Sequence, residues 1–358
     1  MRARVLWATS ICVFAGVLVS ACSTLRHVNW VGRLSRSALS TEGGDRTLSS
    51  QGAKLNELWQ AEGVLVNPND GDSPLAYIQD RAVIQGVILP FPLQRVSGFD
   101  AESGVLAWSS DTLLAEHVDA SEDIVVVATR DGRIIGRDPR DGSRLWSRRI
   151  SLVGGATALD VKHGRVYATT YPRNFHELDV QSGEILRQGQ TESLGEVLFI
   201  DEGIRYGREG FTRILYAYSE RANELLWRTN VGRAVYESPE FLDERIVVRT
   251  GERSGQLVVL DRMSGAIQFR SENTLVSNIA MLDREALFVR SSGEIVGFNI
   301  DSGSTRVVGS LNSHWIAEDA ISHGIYLSID EANERIFIVL GNEERLYAFR
   351  ISAQPQSP

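Results

Sequence analysis

The chain has 358 residues, 43% hydrophobic, 23% charged and 8% aromatic, which supplies a full-sized apolar core and excludes disordered and ordinary membrane-spanning classes. Its 37 basic and 46 acidic side chains leave a formal charge of -9, which disfavours non-specific binding to nucleic-acid backbones. Only Lys54 and Lys162 among the cations are lysines, a bias that genomic base composition suffices to explain.

Arg2 and Arg4 precede a largely apolar run of fifteen residues, Val5 to Val19. That is shorter than the about 20 residues a membrane-spanning helix needs, so residues 1–21 read as a signal peptide. The leader ends in Val19-Ser20-Ala21-Cys22, which resembles the bacterial lipobox. The resemblance implies that Cys22 becomes the acylated first residue of the mature chain. It also implies that Ser23, which is not Asp, permits sorting to the outer membrane of a two-membrane cell. Acyl chains bury about 0.8 kcal/mol per methylene, and several together hold a protein at a bilayer. Loss of the leader leaves 35 basic and 46 acidic residues, and removes Cys12. With no free thiol left in the folded part, disulfides, thiolate catalysis and cysteine-bound zinc are excluded there. Residues 22–53 are rich in Ser, Thr, Gly and Arg, with Trp30 the one aromatic, and read as a flexible tether.

The rest of the chain repeats a run of Asp, three residues, Gly, three residues, Trp. Asp100, Gly104 and Trp108 form the first copy, and Asp138, Gly142 and Trp146 the second. Asp179 and Gly183 keep the turn but put Arg187 in the Trp place. Ser219 and Asn223 replace both turn residues ahead of Trp227. Asp261, Gly265 and Phe269, then Asn299, Gly303 and Val307, complete the set. Positions 104, 142, 183, 223, 265 and 303 are 38, 41, 40, 42 and 38 residues apart. Around each turn lie β-rich runs. Val125 to Thr129, the hairpin Asp131-Gly132, Arg133 to Asp138 and Ser143 to Ser147, with an earlier strand near Leu113 to Val118, give four antiparallel strands per unit. No stretch has a helical period. Four-stranded units of about 40 residues predict an all-β fold, a β-propeller. The Asp, Gly and Trp positions are scaffolding: Asp bonds back to the turn, Gly supplies positive φ, and Trp packs between blades.

The last unit ends after three strands, near Ile325 to Ser328, Arg335 to Leu340 and Arg345 to Ile351. Leu55-Asn56-Glu57-Leu58-Trp59 is similar to Glu224-Leu225-Leu226-Trp227 and is predicted to close the ring as the missing Trp-bearing strand. The count is then seven blades over residues 54–352, followed by a disordered tail at 353–358. Eight, the alternative, needs a unit within the 49 residues from Trp59 to Trp108, which is too short for two.

The run Val96 to Trp108 resembles the pyrroloquinoline-quinone-like repeat, whose pattern is Tyr-Ala-hydrophobic-Asp-x-x-Thr-Gly-x-x-x-Trp. A lipidated, exported propeller of such repeats is similar to the BamB family. The resemblance implies a non-enzymatic scaffold at the periplasmic face of the outer membrane, with the β-barrel assembly machinery among its envelope partners and no cofactor. It also implies eight blades, from which the count of seven departs. Quinoprotein dehydrogenases share the repeat, and that alternative implies a bound quinone, a calcium ion and a catalytic Asp. Their usual vicinal disulfide is missing here. A ligand- or glycan-binding central channel is the other alternative.

Asn67 to Asp72 has oxygen ligands in the manner of a calcium loop but lacks the downstream Glu, and reads as a polar loop. His314 with His323, and His163 with His176, lack the spacing that puts two metal ligands on one strand face. No nucleophile elbow, zinc-protease motif or phosphate loop occurs. The expectation is therefore a protein-binding propeller with no metal and no catalytic residue.

Overall fold

In each repeat the turn residues set the strand reversals. The Gly142 amide donates to the Asp138 carbonyl at 2.9 Å, and Gly183, Gly265 and Gly303 bond the residue four before them in the same way. These glycines have φ between 66° and 72°, the left-handed region that costs other residues about 1 kcal/mol or more. The Asp side chain closes the turn: Asp179 Oδ1 accepts from the Ser182 amide at 2.9 Å and hydroxyl at 2.8 Å. Those bonds hold the Asp179 carboxyl below the usual carboxylate range.

The computed structural model describes residues 47–48 and most of 55–351, the longest intervals outside it being 66–74, 89–94 and 312–324. The signal peptide, Cys22, Ser23, Trp30, the loop 67–72, His314, His323 and the tail at 353–358 lie outside the described residues.

Seven antiparallel sheets form a ring, and among the described residues there is no helix. Blade 1 comprises Leu75–Ile78, Arg81–Ile88, Arg95–Asp100 and Leu106–Ser109, with Val64–Leu65 added to its second strand. Blade 2 is Ala115–Ser121, Ile124–Thr129, Arg133–Arg137 and Arg144–Arg149. Blade 3 is Ala156–Lys162, Arg165–Thr170, Asn174–Asp179 and Ile185–Gln190; blade 4 is Glu196–Asp201, Ile204–Arg208, Ile214–Ser219 and Glu224–Asn230. Blade 5 is Glu240–Phe241, Arg245–Thr250, Gln256–Asp261 and Ile267–Arg270; blade 6 is Ala280–Leu282, Glu285–Val289, Glu294–Asn299 and Thr305–Ser310. Blade 7 joins Ile325–Asp330, Arg335–Leu340 and Arg345–Ile351 to Leu55–Glu62 from the start of the chain. Leu55 pairs with Ile351 and Glu62 with Arg345, so the ring closes by β-pairing and the last blade gains its outer strand. Thr47–Leu48, inside the span read as a tether, pairs outside that strand.

Blades interlock through the Trp positions. The Trp59 indole N–H donates to Ala101 O at 2.9 Å, Trp108 to Pro139 O at 2.8 Å, Trp146 to Val180 O at 2.9 Å and Trp227 to Arg262 O at 3.0 Å. Each acceptor lies one residue after the turn-opening position of the next blade. The ring faces that blade's glycine: a Cβ on Gly104, Gly142 or Gly265 would lie 2.5 Å from Trp59, Trp108 or Trp227. Gly183 meets Trp146, and Gly303 meets Phe269, in the same way. Across the strand from the ring stands a small residue: Gly98 opposite Trp108, Gly136 opposite Trp146, Ala217 opposite Trp227 and Ala348 opposite Trp59. A register shift sits just before each of these four rings and turns it toward the next blade. It also leaves the preceding Leu145 and Leu226 exposed on the rim.

The departures at the seam of blades 3 and 4 are one compensated exchange. Arg187, in the Trp place of blade 3, faces Glu177 across the strand instead of a small residue. The next blade offers Asn223 at φ 55° where Gly stands elsewhere, and Glu220 at the acceptor position. Arg187 and Arg205 both pair with the Glu220 carboxylate, and both guanidiniums lie over the Phe175 ring. With no indole pressed onto it, position 223 tolerates a side chain. Arg187→Trp alone is expected to lower the thermal midpoint, because the ring meets the Asn223 Cβ and the Glu177 side chain opposite and leaves Glu220 to Arg205 alone. Adding Asn223→Gly and Glu177→Ala should recover the midpoint, since a buried indole contributes about 2 to 3 kcal/mol. A triple variant no more stable than the single one contradicts the exchange.

Candidate interaction surface

The residues singled out from the sequence lie in the turns and interfaces between blades, spread around the ring. They converge on no single site. An arginine partner of the turn Asp escapes the sequence reading: Arg81, Arg165 and Arg245 each open the second strand of a blade and sit directly opposite Asp100, Asp179 and Asp261. Their guanidiniums pair with those carboxylates at 3.0, 3.2 and 3.5 Å. The signal in the sequence is an Arg 19, 14 or 16 residues before the Asp.

The strongest break in the ring's regularity is at blade 5. Its innermost strand is reduced to Glu240–Phe241, and the described residues before it, 231–235, 237 and 239, form no strand. Backbone bonds fix this segment: Val231 and Val235 amides donate to Arg213 O and Thr212 O at 2.9 and 3.0 Å, and the Gly251 amide donates to Ala234 O at 2.7 Å. Cations from three blades then clamp it. Arg208 of blade 4, 1% exposed, pairs with Glu196 and donates to Val235 O at 3.1 Å. Arg249 of blade 5 pairs with Glu237 at 2.6 Å. Lys162 of blade 3 donates to Pro239 O at 3.1 Å, lies 3.4 Å from Glu240 and 3.6 Å from Asp160, and sits over the Phe241 ring at 5.0 Å. Arg270 adds a bond to Val231 O at 2.8 Å. Charges this deep are tolerated because each meets a carboxylate or carbonyl. Gly232 and Arg233 remain exposed at the outer bend.

Burial alone would lower the Lys162 ammonium, but Asp160, Glu240 and Asp119 outweigh it and hold the group above its ordinary value. Asp119 is driven well above the carboxylate range by burial and by Asp160 beside it, although the Ala120 and Val161 amides donate to its oxygens at 2.8 and 2.7 Å. Lys162 is thus the cation that lets three carboxylates share one end of the inner wall. His176 is buried, and burial lowers its pKa. Among the described residues no group of three His, Cys, Asp or Glu is placed to hold a metal ion.

Lys162→Met is expected to destabilise the ring by about 3 to 5 kcal/mol by leaving buried carboxylates without their cation. Asp119 already has a folded-state pKa above its unfolded value, and the substitution raises it further. Stability is therefore retained at low pH and lost as pH rises through the folded-state pKa. The deficit should be larger at pH 8 than at pH 5 in thermal unfolding; an equal deficit at both contradicts the assignment.

Comparison with known proteins places this geometry. The family model described as outer membrane protein assembly factor BamB matches residues 93–204 and 190–353. A protein of that name from Yersinia pestis is 28% identical over 142 residues, 37% of this chain and 35% of the relative. One from Salmonella typhimurium strain LT2 is 27% identical over 146 residues, 38% of this chain and 34% of the relative. The matched part thus spans about a third of each relative's length. The crystal structure of BamB from Moraxella catarrhalis superposes with a TM-score of 0.50 at 13% identity, covering 88% of this chain and 99% of that one. A chain in the crystal structure of a mitotic checkpoint complex gives 0.58 at 12% identity with the same coverage, a likeness of fold alone. With the family model matched across most of the propeller, the chain belongs to the family of outer membrane protein assembly factor BamB.

Proposed function

We propose that this protein is a non-enzymatic scaffold, anchored by lipid at Cys22 to the periplasmic face of the outer membrane, that supports the assembly of β-barrel proteins there. The relatives' name supplies the process, and the lipobox resemblance at Val19 to Cys22, with Ser23 behind it, supplies the anchor. The observation that carries the scaffold role is the clamped segment Val231–Glu240. Its buried charges are engaged in fixing backbone, which gives a rigid, irregular surface of the kind that recognises a protein by shape. The envelope partner expected on it is a subunit of the β-barrel assembly machinery.

Cys22→Ala should release the protein from the membrane fraction; persistence with the outer membrane excludes lipid as the tether. Capture of the anchored protein in mild detergent, with quantitative mass spectrometry, should enrich the barrel-assembly subunits. Arg233→Glu, at the exposed outer bend, should cut that enrichment at least tenfold, with the thermal midpoint measured beside it to show that the ring stays folded. Absence of those subunits from the wild-type capture refutes the scaffold reading, and equal recovery with the variant refutes the segment as the contact.

A further inference from the structure

Where other blades close with a turn between their third and fourth strands, blade 7 has two separate stretches of chain. Its third strand follows the repeat pattern through Tyr347-Ala348-Phe349 and then places Arg350 where the pattern has Asp. The register confirms the equivalence. Arg335 opens the second strand and sits opposite Arg350, as Arg81, Arg165 and Arg245 sit opposite Asp100, Asp179 and Asp261. The Ile351 amide donates to Glu334 O at 2.7 Å, as Val180 donates to Gly164 O and Arg262 to Glu244 O in their blades. Two guanidiniums therefore face one another where blades 1, 3 and 5 pair a guanidinium with a carboxylate.

Arg335 is satisfied elsewhere. It is buried, pairs with Asp330 at 2.7 Å and donates to Ala101 O at 3.0 Å. Arg350 is exposed and has no ion pair among the described residues. It opens onto a cleft of about 750 Å³ lined by Arg81, Asp100, Glu102, Glu334, Arg335 and Arg350. Asp100 is engaged within its own blade, its Oδ2 accepting from Arg81 and its Oδ1 from the Ser103 amide and hydroxyl. Glu102 and Glu334 stand exposed at the cleft and can receive an ammonium.

We infer that this seam cleft binds a small zwitterionic ligand, whose oxyanion, phosphate or carboxylate, takes the place of the turn carboxylate that blade 7 lacks, with Arg350 as its principal contact. Guanidinium pairs planar or tetrahedral oxyanions through two parallel N–H donors, and the flanking glutamates favour a ligand that carries its own cation. The inference stands apart from the scaffold reading, since neither the anchor nor the clamped segment contributes to it.

The test uses the full chain and three probes: glycerophosphoethanolamine and inorganic phosphate followed by phosphorus line broadening, and the dipeptide alanyl-alanine followed by saturation transfer. Wild type should respond to glycerophosphoethanolamine or to the dipeptide more strongly than to phosphate, and the responding probe tells a lipid headgroup from a peptide. Arg350→Gln should reduce the response at least fivefold, while Arg221→Gln, an exposed change on blade 4, leaves it intact. Arg350→Asp should abolish it without lowering the thermal midpoint, because the new carboxylate faces Arg335 as in other blades. Silence from every probe, or an equal response from Arg350→Gln, overturns the inference. A response as strong to free phosphate overturns its zwitterionic part. A response seen only after removal of residues 353–358 means that the chain's own end fills the cleft, and overturns an external ligand.

Discussion

The indole of one blade lying on the glycine of the next is the contact on which this ring depends. It fixes three things together: the glycine must be bare, the residue opposite the ring must be small, and a carbonyl one residue past the turn-opening position must accept the indole N–H. At the four seams where one blade supplies the indole and the next supplies the seat, neither blade completes its own core. Trp59, on the strand that closes blade 7, applies the same contact to blade 1 and carries the interlock across the point where the chain begins and ends.

Phe269 supplies a phenyl ring in place of the indole at the seam of blades 5 and 6, whereas at one seam electrostatics replace the interlock. Between blades 3 and 4 an arginine pair around Glu220 stands in for the indole, and one apolar cluster runs continuously through blades 3, 4 and 5 instead of filling a single gap. The clamped segment of blade 5 borders that cluster, with Val231 and Val235 buried in it. Regular blades make a stiff frame, and the irregular arc holds a stretch of backbone that three separate blades grip with buried cations. A frame stiff on one side and individually shaped on another is suited to holding a surface for a partner, in keeping with a family whose name denotes assembly.

Much of the fold was legible in the sequence because its main contacts are encoded by residue types with few other uses. Glycine at positive φ and tryptophan at a fixed offset mark the turn and the interlock. The likeness of Leu55 to Trp59 to another blade's outer strand exposed the closure. Paired strands Thr47–Leu48 and Val64–Leu65 were not legible, since two residues carry no period. Neither was the segment 231–240, whose order comes from Arg208, Arg249 and Lys162, each far from it in sequence or hidden among many arginines. Lys162 was visible as a rare lysine, but only the fold brings it to Glu240, 78 residues away. Arg350 breaks the repeat in plain sight, yet its meaning depends on Arg335 standing opposite.

Hydrogen exchange at the indole N–H groups of Trp59, Trp108, Trp146 and Trp227, observed with selectively labelled tryptophan, measures the interlock itself. If the ring is one cooperative body held by these contacts, all four exchange together at the rate of global unfolding, and denaturant accelerates them in parallel. Exchange of any one of them orders of magnitude ahead of the others, with the same weak denaturant dependence as a surface group, would mean that blades open singly and that the indole seats do not hold the ring.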